Sequence, residues 1–198
     1  LKTFSIENEP VVELVNNRER EYIFADLPDI GYSTDIDTVM ASSYQVKKQL
    51  QQIVKIEQPI TNTLLYKRIL RIWNLTRVTT RLQVFIDNLL EDAYKDPLSG
   101  DTIIYWEDEE KAKDCDFYRI NSKRDILDIP ILEVMSAARY AIEQQISMPT
   151  EDLKRLTSQL LGFSRKGNNL DMVTEQTIQL LIDQGIFSHA NGMVSMNN

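Results

Sequence analysis

Two stretches of the chain combine several basic residues with a complete absence of acidic ones, and such residues could bind phosphate groups. Residues 58–86 contain five cations and residues 153–170 contain four. Lysine and arginine neutralise phosphates and release condensed counterions, so these clusters predict contact with nucleic acid. A solvated helix face is the alternative interpretation of either stretch taken alone. The predicted contact residues are Lys67, Arg68, Arg71, Arg77, Arg81, Lys154, Arg155, Arg165 and Lys166.

Acidic residues dominate the rest of the chain. The 198 residues include 22 Lys and Arg against 30 Asp and Glu, which gives a formal net charge of −8. Residues 91–116 hold ten acids and three bases, and residues 1–40 hold nine acids and three bases. An acidic total argues weakly against nucleic-acid binding and suits docking on a basic protein surface. Protein interaction is therefore the second functional class.

The composition excludes most catalytic chemistry. A single Cys and a single His exclude an internal disulfide, a multi-cysteine zinc site and any site that needs two histidines. Neither a phosphate-binding loop motif nor a nucleophile-elbow motif is present. Cys115 lies among acidic residues, which disfavour its thiolate, and His189 lies in a polar turn. We therefore expect no enzymatic activity, no cofactor and no metal site.

Length and hydropathy bound the class of protein. The chain is 42% hydrophobic and 26% charged, which is typical of a globular protein. No apolar run reaches the roughly 18 residues of a membrane span, and no leader of basic-then-apolar form is present, so we expect a cytoplasmic protein without membrane contact. Because the chain begins at Leu1, we expect it to be a fragment of a larger protein. The oligomeric state is open.

Apolar residues at spacings of three and four predict the helices that carry the basic residues. Helices are expected at 43–57, 61–74 and 79–94, and again at 130–147, 150–161 and 168–184. The segments 102–106 and 117–120 have strand composition and would form a hairpin joined by the acidic run 107–116. A second hairpin is expected around Asn191 and Gly192. Residues 1–41 lack a sustained helical period, include one short strand at 21–25 and are interpreted as an arm or linker.

The two halves repeat each other at an offset of 88 residues, so that Leu65 falls on Leu153 and Arg77 on Arg165. Three short helices followed by a two-stranded ribbon is the order of a winged helix. We therefore predict a mainly α chain with small β hairpins (α+β), built as two tandem winged-helix-like repeats. The expected division is an acidic arm at 1–41, repeat 1 at 42–121, a connector at 122–128 and repeat 2 at 129–198.

In a winged helix the turn after the second helix and the start of the third helix face the major groove. Arg77, Arg81, Arg165 and Lys166 occupy those positions. The remaining predicted cations lie on the second helices, which are better placed for the phosphate backbone. A small helical domain with a terminal hairpin is the alternative for the fold.

Three segments of the sequence resemble a known family. They are Trp73-Asn74-Leu75-Thr76-Arg77, Asp128-Ile129-Pro130-Ile131 and Leu161-Gly162-Phe163-Ser164-Arg165, with their flanking residues. These segments are similar to the domain of unknown function 3320, found near the C-terminus of large bacterial and archaeal superfamily-1 helicase-like proteins. The resemblance covers about residues 44–198 and sets a context without supplying an activity for this domain.

The leading hypothesis is a non-catalytic accessory module of a helicase-like protein that binds DNA or RNA. The alternative is a regulatory module that docks on the helicase or nuclease core of the parent chain. The acidic run 107–116 favours this alternative, because it replaces the basic or small residues that the resemblance implies around the first wing.

Overall fold

The computed structural model describes residues 16–98, 100 and 102–197, and about half of these residues are helical. The described helices occur together with three small sheets, one a parallel pair of strands and two with three antiparallel strands each. This mixture confirms the α+β class.

Residues 16–41 contribute a strand, β1 (Glu19–Glu21), and a short helix, α1 (Ile36–Ala41). The Asp35 carboxylate caps α1 by accepting a hydrogen bond from the amide of Thr38 at 2.8 Å. Ala25 and Val39 are buried in the apolar core of the first half, so this segment packs against that half. The strand predicted at 21–25 lies slightly earlier. Residues 1–15 of the predicted arm lie outside the described residues.

The first half continues with three helices and three strands. Thr61 and Thr79 each accept a hydrogen bond from the third amide of the helix that follows, which explains where the second and third helices begin. The third helix ends earlier than the sequence predicts. The elements are α2 (Ser43–Glu57), β2 (Ile60–Thr61), α3 (Asn62–Ile72), α4 (Thr80–Leu89), β3 (Tyr94–Lys95) and β4 (Ile104–Trp106).

The predicted hairpin between 102–106 and 117–120 is wrong. Strand β4 pairs with β2 and β3, in the order β2-β4-β3. Because α4 ends at Leu89 and not at residue 94, Tyr94–Lys95 lies outside the helix and pairs with β4. The Asp96 carboxylate stabilises the β3–β4 hairpin, because it accepts hydrogen bonds from the Leu98 amide at 2.9 Å and from the Trp106 indole at 3.0 Å.

The acidic run forms a short helix of its own, α5 (Glu109–Lys113). Asp108 caps it by accepting from the Lys111 amide at 2.9 Å, and two glutamates in the first turn face the positive end of the helix dipole. The next strand, β5 (Tyr118–Ile120), pairs in parallel with β1. Its partner is therefore the N-terminal segment.

The second half repeats the element order of the first. A 3-10 turn (Ile126–Asp128) precedes it, and its three strands pair in the order β6-β8-β7. Asn191 and Gly192 have φ angles of 51° and 76° in a tight turn, which confirms the predicted hairpin. The elements are α6 (Ile131–Glu143), β6 (Met148–Pro149), α7 (Thr150–Leu160), α8 (Asn168–Asp183), β7 (Phe187–Ala190) and β8 (Met193–Met196).

The correspondence between the halves is close at their start. The elements α6, β6, α7 and α8 each begin 88 residues after α2, β2, α3 and α4. The two three-stranded sheets also have equivalent strand orders. The main difference is length, because α8 has 16 residues and α4 has 10. The division at 42, 122 and 129 stays a prediction, and β5, which it assigned to repeat 1, pairs with β1 instead.

A buried polar cluster joins the halves. Arg119 of β5 donates to the backbone carbonyls of Glu57 at 2.7 Å and Gln58 at 3.2 Å, just after α2. The same guanidinium pairs with the Glu133 carboxylate of α6, which Arg124 also contacts. Nearby, Lys67 of α3 pairs with Asp128 at 2.6 Å. The two halves therefore meet through specific polar contacts.

Candidate nucleic-acid interface

The turn from α3 to α4 and the turn from α7 to α8 begin with the same backbone hydrogen bonds at the end of the first helix. After α3, the amide of Asn74 donates to the Arg71 carbonyl and that of Leu75 to the Leu70 carbonyl. After α7, the amide of Gly162 donates to the Gln159 carbonyl and that of Phe163 to the Ser158 carbonyl. This is the Schellman pattern, which requires a left-handed residue after the helix. Asn74 and Gly162 supply it, with φ angles of 47° and 89°.

The basic residues that follow these ends are free in both turns. Arg77 lies between α3 and α4, and Arg165 and Lys166 lie between α7 and α8. All three are exposed, and none makes a hydrogen bond or ion pair with any other residue that the structure describes. We call these three residues the basic turns.

Two of the predicted contact residues have their charged groups engaged inside the protein. The Arg68 guanidinium forms an ion pair with the fully buried Glu57 at 2.8 Å and also contacts the Tyr22 hydroxyl. The Lys154 amine lies between Glu151 and Glu175, at 3.3 and 3.4 Å, and its side chain is only 10% exposed. Because these cations are already neutralised and largely shielded, we leave both out of the candidate interface.

The other four predicted residues lie at the surface but have acidic neighbours. The pairs are Lys67 with Asp128, Arg71 with Asp26, Arg81 with Asp37 and Arg155 with Asp152. Each of these basic side chains is about half exposed. For Arg71, Arg81 and Arg155 the acid is at least half exposed as well, so these pairs contribute little stability and can exchange a partner at low cost. The Asp128 partner of Lys67 is only 7% exposed, so Lys67 is held in the contact between the halves.

The structure places residues 121–124 beside the candidate interface, which the sequence analysis did not predict. This loop follows β5 and borders the turn after α7, where it shares a cavity with Phe163. Lys123 is exposed and has no described partner, whereas Arg124 is buried against Glu133. Two adjacent cations in a segment interpreted as a connector were the available signal.

The remaining candidates for chemistry are weak. Burial, together with the nearby Glu133 carboxylate, raises the pKa of the Cys115 thiol to about 12, so it is a poor nucleophile. His189 is exposed in β7. Within the described ranges, no three His, Cys, Asp or Glu residues come together as a group that could hold a metal ion. Trp73 and Trp106 are buried, so neither offers a surface for stacking bases.

Among the described residues, no helix is both long enough and apolar enough to cross a bilayer.

Comparisons with known proteins identify a family for part of the first half. Searches of curated proteins and of solved structures found no match. Residues 41–84, which comprise α2, α3 and the start of α4, match a family model. That family is Protein of unknown function (DUF3320), so the family that the sequence resembles is confirmed at these residues.

Proposed function

We propose that this chain is a non-catalytic nucleic-acid-binding module made of two winged-helix-like units. The element order helix, strand, helix, helix and hairpin supports this architecture, as does the pairing of the first strand with the last. In a winged helix the second and third helices form a helix-turn-helix and the hairpin forms the wing. Here α3 with α4 and α7 with α8 would be the two helix-turn-helix pairs.

The single observation that carries the proposal is the repeated position of the free cations. Arg77 and Arg165 lie 88 residues apart, at the same place in two turns with the same backbone hydrogen bonds. Elsewhere in the described part of the chain, many surface cations are matched by a carboxylate. A solvated helix face gives no reason for unmatched arginines to recur at equivalent turns.

The basic turns would contact the phosphate backbone, because an exposed guanidinium matches the geometry of a phosphate group. The first residues of α4 and α8 would then lie nearest the bases. They are small and polar, namely Thr80, Asn168 and Asn169, and their side chains can donate or accept hydrogen bonds. The ligand is DNA or RNA, and the parent chain is a helicase-like protein in which this module has no catalytic role.

Charge reversal tests the proposal. Fluorescence anisotropy of labelled duplex and single-stranded oligonucleotides would compare the chain with its Arg77→Glu, Arg165→Glu double variant. We expect the double variant to bind at least about tenfold more weakly, since two phosphate contacts are lost. Lys55→Glu with Lys111→Glu is the matched control, because both lysines are exposed and their side-chain amines have no described partner. Equal loss in both variants would assign the effect to net charge and contradict the proposed surface.

A second candidate function is docking on the helicase or nuclease core of the parent chain. Val84 of α4 and Met172 of α8 occupy equivalent positions, and both are exposed, at 54% and 45%. Asp171 and Glu175 flank Met172 on α8, which is unfavourable next to a phosphate backbone. Binding of the chain to a parent protein that lacks it, with no oligonucleotide binding at low salt, would favour this candidate.

A further inference from the structure

A cavity of about 390 Å³ lies beside the second basic turn. One wall is the loop of residues 121–124, between β5 and the 3-10 turn, and the other is the end of α7 with Leu161, Gly162 and Phe163. Phe163 also lines two neighbouring cavities, both of which include Arg165. The cavity is therefore adjacent to a residue of the proposed interface.

The loop holds an unusual backbone conformation. Asn121 and Lys123 have φ angles of 58° and 48°, in the left-handed region that side chains other than glycine rarely adopt. The side-chain amide of Asn121 donates to the Glu21 carboxylate at 3.0 and 3.1 Å, and the backbone amide of Arg124 donates to the Ser122 hydroxyl oxygen at 3.3 Å. Because Ser122 only accepts in that bond, its hydroxyl proton is available to a ligand.

The residues that line the cavity include two cations, Lys123 and Arg124, and no acid. Both terminal nitrogens of Arg124 donate to Glu133, at 2.7 and 2.8 Å, and Arg119 shares the same carboxylate. Two guanidiniums therefore face one carboxylate, and Lys123 adds a third cation that has no described partner. Nearby Glu21 is engaged by Asn121.

One donor in the wall lacks an acceptor. Arg124 is only 7% exposed, and its Nε is buried without a hydrogen-bond partner among the described residues. A buried donor of this kind costs free energy unless an acceptor reaches it. The other acid near the loop, Asp125, accepts from the Leu127 amide at 3.0 Å and so caps the 3-10 turn.

We propose that this cavity binds a phosphate group, held by Lys123 and the Ser122 hydroxyl, with the Arg124 guanidinium supplying positive charge in the wall behind them. The inference rests on the proposed function in one respect, which is that the phosphate belongs to the nucleic-acid strand that contacts Arg165. Phe163 forms the shared wall between the cavity and the turn, so a strand that passes from one to the other would run across its ring. Arginine and lysine with a hydroxyl donor are groups that favour a phosphate oxyanion.

Amide chemical shifts of the 15N-labelled chain would test the cavity directly. Inorganic phosphate is titrated first, and a single-stranded oligonucleotide with a 5′-phosphate second. We expect both to shift the amides of residues 121–124, 162 and 163, and the oligonucleotide also to shift those of 77 and 165. Lys123→Asn removes the charge with a residue that tolerates the left-handed region. Lys111→Asn removes the same charge on α5 and is the control.

Lys123→Asn is expected to weaken oligonucleotide binding about fivefold and to lower the salt dependence by about one phosphate contact, while Lys111→Asn leaves both unchanged. Chemical-shift changes at 77 and 165 on addition of the oligonucleotide, without any at 121–124, would overturn the cavity as a phosphate site and leave the proposed function intact. Phosphate shifts at 121–124 without any oligonucleotide binding would retain the phosphate site and overturn the strand as its source, together with the proposed function. The absence of shifts with either ligand would overturn both.

Discussion

At the scale of single residues, the most constrained group in the described chain is the Glu133 carboxylate. It is fully buried and accepts hydrogen bonds from the Arg119 amide, the Arg119 guanidinium and the Arg124 guanidinium. Burial alone would raise the pKa of Glu133, but the two guanidiniums outweigh it and hold the pKa below its usual value. The carboxylate is therefore ionised in the folded protein.

Replacing Glu133 by Gln tests this arrangement. The variant keeps the size of the side chain and leaves two buried guanidiniums without a counter-charge. We expect the free energy of unfolding, measured by urea denaturation, to fall by about 3–5 kcal/mol. Glu91→Gln is the control, since Glu91 is exposed and its carboxylate has no described partner, and it should change stability by less than about 0.5 kcal/mol. Equal stabilities of the two variants would show that the cluster is not structural.

The lowered pKa of Glu133 also predicts how stability depends on pH. An acid whose pKa is lower in the folded state stabilises the fold fully above its unfolded pKa, and this stabilisation is lost as the pH falls through the folded pKa. Between about pH 5 and pH 3, the free energy of unfolding should therefore fall more steeply for the wild-type chain than for Glu133→Gln. Parallel profiles for the two proteins would contradict this assignment.

At the scale of elements, the helix ends set the geometry of the basic turns. Gly162 and Asn74 occupy the same left-handed position after α7 and α3. Glycine takes this conformation without strain, whereas other L residues pay for it. The direction in which each turn leaves its helix, and hence the place of Arg77 and Arg165, depends on this one residue.

Gly162→Ala should therefore destabilise the chain by about 1–2 kcal/mol, because the φ angle of 89° strains a residue with a Cβ even though nothing lies within 4 Å of it. Thermal unfolding monitored by circular dichroism would measure the loss. Gly162→Asn is the matched control, since asparagine tolerates the left-handed region and Asn74 already occupies it at the equivalent position. A loss of stability in Gly162→Asn as large as that in Gly162→Ala would show that backbone strain is not the cause.

The start of a helix was predictable from the sequence where the residue just before it determines where the helix begins. Thr61, Thr79 and Pro130 mark helix starts through local hydrogen bonding or backbone restriction, and α3, α4 and α6 begin at the next residue. The partner of a strand depends on where distant elements lie. The composition of 102–106 and 117–120 therefore indicated strands correctly, while their actual partners, β2 with β3 and β1, were not readable from the sequence.

The candidate site also contains residues whose position was predictable from the sequence and one whose position was not. Arg77, Arg165 and Lys166 were predictable because a turn between two amphipathic helices is exposed in almost any packing. The inward orientation of Arg68 was not, because its buried partner Glu57 belongs to another helix and looks like an ordinary helix-end acid in the sequence. Burial of a charge depends on partners that only the tertiary structure brings together.

At the scale of the whole molecule, two similar halves are held together by the polar cluster of Arg119, Arg124 and Glu133. Arg119 reaches the backbone at the end of α2, and its carboxylate partner lies on α6, so the cluster joins one half to the other. Such a connection links the two halves that carry the basic turns. A pair of turns held in this way could contact one nucleic-acid strand or duplex at two places.

The overall charge of −8 opposes any polyanion, so binding must come from local contacts and must weaken with salt. The number of phosphates neutralised can be read from the slope of log affinity against log salt concentration. The three free cations in the basic turns predict a slope magnitude of at least about three, to which Lys123 would add about one, and the Arg77→Glu, Arg165→Glu variant should lower the slope by about two.

A salt titration of oligonucleotide affinity, measured by fluorescence anisotropy with the wild-type chain and with this double variant, therefore tests the basic turns most directly. We expect measurable binding at low salt, a slope magnitude of at least about three for the wild type and a loss of about two in the variant. Absence of binding at low salt, or an unchanged slope in the variant, would contradict the assignment of the basic turns to nucleic acid.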